Sequence, residues 1–340
     1  MKRFLAMLLP AALILGLCAC GGTTNQPNET TQNVSADPTL PKNPETLKVL
    51  VLGHSLAVDT GHMLALIAAT EGYDGLKLGT LYYSGCRLSQ HADFIKNNKN
   101  VYDLYLSDSS NPAPPTITKS VTMKDALRFD AWDVIVMQGG GWEIAEDDKF
   151  KNGNLEFIQD FVNENKLNPN AVFAWHMPWV APTDPELQDM HPDKPSPVAT
   201  NYAAYNNDRA TLYKAVTDCA ANNILTNKTF AAFIPSGTAF ENAHSSYLGD
   251  RDLYRDYGHA SDFGRVITSY VWYCTLLGID HLDDIQLTGI PKAYFKSNTG
   301  PVDVEFTQVE KDIIIESVNN ALKNPLEVTQ SQYTEAPAAN

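Results

Sequence analysis

Two stretches of the chain carry the residue types of nucleophilic chemistry. In the first, Gly53-His54-Ser55 closes the apolar run Val49 to Leu52. A serine in the turn between a buried strand and a helix projects its Oγ at the carboxyl edge of the sheet, where open α/β sheets bind ligands. Backbone N–H groups in such a turn also face developing negative charge. The same serine would serve as a cap for the following helix. In the second stretch, Asp256 and His259 stand three residues apart, ahead of an apolar segment. On a tight loop the carboxylate accepts the imidazole Nδ1–H and fixes the tautomer. Nε2 is then free to take a proton from a hydroxyl. A plain helix start fits the same residues, with Ser261 or Asp262 as N-cap and His259 exposed.

Chemistry at these residues requires elements that bring them together. Five apolar, β-branched runs read as strands: Val49 to Leu52, Leu76 to Tyr83, Trp132 to Gln138, Ala171 to Trp175 and Phe230 to Ile234. Helical patterns alternate with them, over Gly61 to Glu71, Leu88 to Asn97, Leu155 to Glu164, Asn201 to Asn222 and Ser261 to Leu277. A capping box, Thr307-Gln308-Val309-Glu310, opens a last helix through Ile313, Ile314 and Val318. Asn98 to Lys119 reads as irregular, broken by Asn111-Pro112-Ala113-Pro114-Pro115, and Pro178 to Pro197 as a long surface loop. The order predicts an α/β fold, a three-layer α/β/α sandwich around a mainly parallel five-stranded sheet. One sheet edge would then carry Gly53-His54-Ser55, Ser84-Gly85-Cys86, Gln138-Gly139-Gly140, His176-Met177-Pro178 and Pro235-Ser236-Gly237.

The 340 residues divide into four segments. Residues 1–19 read as an export signal, with Lys2 and Arg3 ahead of an apolar stretch too short to span a bilayer with ease. Leu17-Cys18-Ala19-Cys20 resembles a bacterial lipobox, which implies cleavage before Cys20 and lipidation of its thiol; an ordinary secretory signal is the alternative. Residues 20–44, rich in Thr, Asn, Gln and Pro, read as a disordered tether. Residues 45–326 form one domain, and 327–340 a disordered tail. The expected location is a lipid-anchored position on the extracytoplasmic side, at the cell surface or in the periplasm.

The formal net charge of −15 argues against nucleic acid and anionic membrane surfaces as partners. With Cys20 lipidated, Cys86, Cys219 and Cys274 remain in the mature chain. They allow at most one internal disulfide and show no metal-site spacing, so buried free thiols are expected.

Taken in order, Gly53-His54-Ser55, Gly85, Gln138 and Asp256-Tyr257-Gly258-His259 resemble the successive blocks of the SGNH (GDSL-like) hydrolase superfamily. Within it they look most like a poorly characterised branch of bacterial exported proteins. The likeness extends to Trp132-Asp133, to Ile234-Pro235-Ser236-Gly237-Thr238-Ala239 and to Trp272-Tyr273, and covers about Lys48 to Gly278. It implies Ser55 as nucleophile, His259 as general base and Asp256 as its orienting acid. It also implies an oxyanion hole from the backbone N–H groups of Ser55 and Gly85 with the Gln138 amide, and no metal or organic cofactor. Gln138 stands where much of the superfamily has asparagine, and His54 where an Asp or Asn often precedes the serine.

The resemblance implies acyl transfer from an ester. A tethered surface protein with an open sheet edge suits a glycan, so the expected activity is a carbohydrate O-acetyl (acyl) esterase. Trp142, Trp175, Trp179 and several tyrosines lie near the strand ends, where they would stack on sugar rings or pack the core. The rival expectation is a glycan-binding surface lipoprotein that retains the fold without catalysis.

Overall fold

The computed structural model describes residues 37–42, 44–140, 143–188, 202–291 and 304–337. The export signal, Cys20, most of the tether, Trp142 and the later part of the 178–197 loop lie outside the described residues.

Seven strands form the main sheet: β1 (Leu47–Gly53), β2 (Leu76–Tyr82), β3 (Tyr102–Asp108), β4 (Thr116–Val121), β5 (Val134–Met137), β6 (Val172–His176) and β7 (Phe230–Ile234). Their spatial order is β4-β3-β2-β1-β5-β6-β7. The five strands expected from the sequence are all present and mutually parallel. The count of five is corrected to seven by β3 and β4, an antiparallel hairpin added beyond β2 in the segment expected to be irregular. Only Tyr102 and Leu104 of β3 are fully buried, and β4 is almost wholly exposed. An edge hairpin with so little to bury lacks the apolar signature of an interior strand. The proline-rich breaker at 111–115 falls in the connection between the two.

The helices cover both faces. Alternate residues of β1 divide the core: Val49 and Val51 face one layer, Leu50 and Leu52 the other. The first layer holds α1 (Ser55–Thr70), α5 (Ser236–His244), α6 (Asp262–Leu277) and α7 (Gln308–Lys323). The second holds α2 (Leu88–Lys96), α3 (Asn154–Asn165) and α4 (Arg209–Asn223). Helix α1 starts at Ser55, earlier than the apolar pattern suggested, and α4 starts later, behind an Asp208 cap. The capping box of α7 forms as expected, with Thr307 N–H on Glu310 Oε2 at 2.7 Å and Glu310 N–H on Thr307 Oγ1 at 3.3 Å.

The tail is a second correction. Residues 327–337 are ordered against the domain: Thr329 N–H donates to buried Asn242 at 2.8 Å, and Tyr247 N–H donates to the Tyr333 carbonyl at 2.8 Å. Backbone hydrogen bonds to a buried amide hold a polar segment that has few apolar side chains of its own. At the other end, Leu40 packs on the core and the Pro44 carbonyl accepts from Tyr73 Oη at 3.0 Å, so the last residues of the expected tether also touch the domain. Cys86, Cys219 and Cys274 are buried free thiols.

Candidate active site

The first strand delivers Ser55 by a turn with no room for a larger residue at its start. A Cβ on Gly53 would stand 2.9 Å from Ala57 Cβ and 3.2 Å from the Gln138 side chain. His54 caps α1, its Nδ1 accepting from Leu56 N–H at 3.4 Å, while its Nε2–H donates to the Gly139 carbonyl at 3.0 Å. A carbonyl only accepts, so the proton sits on Nε2. Burial holds the His54 imidazole down to about 4, so it is neutral at pH 7. The early N–H groups of a helix lack intrahelical acceptors. Here Leu56 bonds His54 Nδ1, and Ala57 and Val58 bond the His54 carbonyl, which leaves the N–H of Ser55 for a ligand.

The loop before α6 supplies Asp256 and His259. Tyr254 and Ala260 form an antiparallel bridge that closes it into a narrow ring. Asp256 accepts from the N–H of Gly258 at 3.1 Å, from the N–H of His259 at 2.9 Å, and from His259 Nδ1–H at 2.8 Å. Burial alone would raise the Asp256 carboxyl, but the bond and charge of His259 and these N–H groups outweigh it and bring it to about 2. His259 Nε2 then accepts from Ser55 Oγ–H at 2.8 Å. Ser261 caps α6, as one reading of the sequence had it, yet His259 is turned inward onto Ser55.

Asp59, one turn along α1 from Ser55, is a member of this assembly that the sequence did not reveal. It is 2 % exposed. Its Oδ2 accepts from Ala260 N–H at 3.1 Å, next to His259. Its Oδ1 meets Arg255 at 2.9 Å and Arg265 at 3.0 Å. The helix that presents Ser55 therefore also grips both sides of the loop that presents His259. From the opposite side, Trp179 Nε1–H donates to the Gly258 carbonyl at 3.0 Å. Half-buried Arg209 joins Glu241, Asp250 and Tyr254 at 2.7–3.0 Å, fixing the start of the same loop to α4 and α5.

A cavity of about 290 Å³ opens beside Ser55 and His259. Ser84, Gly85 and Arg87 line its exposed mouth, and Tyr257 lies edge-on to the His259 ring there. Gly85 has φ +59°, a left-handed conformation that favours glycine. Gln138 does not line this cavity. It follows Val134 and Val136 onto the α1/α6 side of β5, is 1 % exposed, and accepts from His176 Nδ1–H at 2.8 Å. Of the three residues expected at an oxyanion hole, Ser55 and Gly85 line the cavity, while Gln138 is buried with its Nε2 without a partner among the described residues. Trp175 and Trp179 are each 2 % exposed; Trp175 is a core residue, and Trp179 also lines the cavity. Among the described residues no group of His, Cys, Asp and Glu is arranged to hold a metal ion.

A family model described as a domain of unknown function, DUF4886, matches residues 48–287. The chain belongs to that family. The DUF4886 match takes in β1, both site loops and α6. A DUF4886 family protein from Bacteroides uniformis shares the fold, with a TM-score of 0.68 and 22 % identity over 85 % of this chain and 100 % of that one. A candidate SGNH hydrolase from Slackia heliotrinireducens aligns with a TM-score of 0.42 and 16 % identity, over 68 % of this chain and 99 % of that one. A lipase from a goat rumen metagenome aligns at 0.38 and 12 %, over 67 % and 97 %. No curated protein matches the chain.

Proposed function

We propose that this DUF4886 domain is a serine ester hydrolase. The observation that carries the reading is the unbroken relay Asp256–His259–Ser55, with its 2.8 Å links, at the wall of a cavity. A binding module has no need of a hydroxyl, an imidazole and a carboxylate in this order.

In the first half-reaction Ser55 Oγ attacks the ester carbonyl carbon and its proton passes to His259 Nε2. Asp256 keeps Nδ1–H oriented and stabilises the imidazolium. Negative charge on the former carbonyl oxygen is met by the N–H groups of Ser55 and Gly85. One such donor is worth about 3 kcal/mol of barrier. The tetrahedral centre collapses, the carbon–alcohol bond breaks, and the alcohol leaves with the proton from His259. Water then repeats the sequence on the acyl-serine, giving the acid and free enzyme.

A carbohydrate ester is the substrate class we favour, with the sugar as the alcohol half at the open, polar mouth around Ser84, Gly85 and Arg87. Anchoring through Cys20 on the extracytoplasmic side would place the domain among such polymers. Replacing Cys20 by Ala should then release the protein from the membrane fraction. For the reaction itself, a serine-directed phosphonate should label Ser55, and p-nitrophenyl esters should be cleaved by the wild-type protein and not by Ser55→Ala. Failure of both, with retained binding to acylated polysaccharide, would leave a glycan-binding module.

A further inference from the structure

The residues that line the cavity fall into exposed polar ones, Ser84, Gly85 and Arg87, and deeply buried apolar ones. Its inner wall comes from three places in the chain. Ile144 follows β5, Val180 and Ala181 follow β6, and Leu212 and Val216 project one turn apart from α4. All five are at least nine-tenths buried although they line open space. The cavity beside Ser55 thus joins an exposed polar mouth to a buried apolar end.

We propose, on the basis of the esterase reading, that the buried apolar end binds the acyl half of the substrate and that this half is a medium-length or aryl acyl group rather than acetyl. Two considerations give the direction. The alcohol must leave, and water must enter, while the acyl group is still bonded to Ser55. A buried end suits the half that stays, and the open mouth suits the half that exchanges. The size follows from the volume. An apolar cavity of about 150 Å³ holds a benzene, and this one, its polar mouth included, is about 290 Å³. An acetyl group on Ser55 would leave most of the apolar wall without contact. Each methylene placed against that wall gains about fourfold in binding. That gain is available to catalysis only if the transition state holds the chain as firmly as the ground state does.

The test is an ester series with one leaving group, p-nitrophenyl acetate, butyrate, hexanoate, octanoate and decanoate. The kcat/KM should climb by about tenfold or more from acetate to hexanoate and then level or fall. Two substitutions on α4 should move the optimum in opposite directions. Val216→Phe, which fills the end, should lower the octanoate-to-acetate ratio of kcat/KM by about tenfold. Leu212→Ala, which enlarges it, should shift the optimum to a longer chain. If acetate is cleaved as well as hexanoate and Ser55→Ala abolishes both, the acyl assignment is overturned and the esterase reading survives. If no ester is cleaved and a phosphonate leaves Ser55 unlabelled, both fall together. The wild-type series decides the matter even if Val216→Phe does not fold.

Discussion

Two histidines at the carboxyl edge of the sheet begin alike and end differently. His259 and His176 each place Nδ1 at 2.8 Å from a side-chain oxygen. For His259 that oxygen belongs to a carboxylate, and Nε2 meets a serine hydroxyl at a cavity. For His176 it belongs to the neutral amide of Gln138, and Nε2 has no partner among the described residues. His176 is wholly buried, edge-on to Trp272 at 4.9 Å. Burial pushes its imidazole well below the ordinary range. One neighbour is thus not enough to make a base: it takes a counter-charge for the imidazolium, a donor to deprotonate and space for the product. His176 has none of these and acts as a polar core residue.

The largest effect that would break this contrast is at the triad. Ser55→Ala and His259→Ala should each lower ester turnover by about 10⁴-fold or more, and the double mutant should be no worse than either. Asp256→Asn should cost about 10² to 10⁴-fold, since it disturbs the tautomer and removes the counter-charge. Steady-state kinetics on folded variants measures all of them. Additive losses in the double mutant would mean that the two residues do not act as a unit.

Acid sharpens the contrast through stability. Burial lowers His54 to about 4 and His91 to about 3, and holds His176 well below its ordinary range. In the unfolded chain each titrates near 6.5. Below that pH the unfolded state takes up protons that the folded state refuses, so stability falls as pH drops from about 6.5 towards 4. Each histidine contributes at most about 1.4 kcal/mol per pH unit in that window. The depressed carboxyl of Asp256 has the same sign but acts lower, between its ordinary value and about 2. Urea midpoints at pH 7 and pH 5 should therefore differ strongly, with equal midpoints contradicting the buried neutral state.

Asp59 gives a smaller effect of a different kind. Asp59→Asn should lower kcat by about tenfold with KM little changed, and cost about 3 kcal/mol of stability as two guanidinium groups lose their shared charge. The rate of phosphonate labelling at Ser55, read well below the melting temperature, separates positioning from unfolding. Unchanged labelling would make Asp59 structural only. Smallest of all, Gln138→Ala should change kcat by less than about threefold, against the 10² to 10³-fold loss expected of an oxyanion donor.

The legible parts of the molecule were those whose signal is local. Val49 to Leu52 and Trp132 to Gln138 show themselves as buried strands because both faces are apolar, whereas Thr116–Val121 buries almost nothing and leaves no pattern. Ser55, Asp256 and His259 were legible from their order and spacing beside glycines. Gln138 was placed at the right strand end, but its side of the sheet follows from the two-residue alternation with Val134 and Val136, which sends it away from the cavity. Asp59 could have been suspected as a carboxylate on a helix face otherwise made of Leu56, Ala57, Thr60 and Met63. Its partners lie about 200 residues further along, where sequence pattern does not reach.

That distance has a consequence for when the protein becomes active. Ser55 and His259 are 204 residues apart, and α6 must lie on α1 before they meet, as the Thr60–Thr268 contact at 3.2 Å and the Ser269–Thr60 contact at 2.7 Å require. During synthesis the nucleophile's strand and helix emerge long before the loop that activates it. On the proposed mechanism the growing chain is latent, with a hydroxyl no more reactive than any other serine, until its C-terminal third has docked. A chain ending at Tyr247 should remain unlabelled by a phosphonate, so that ester-cleaving power is itself a report that the fold has closed.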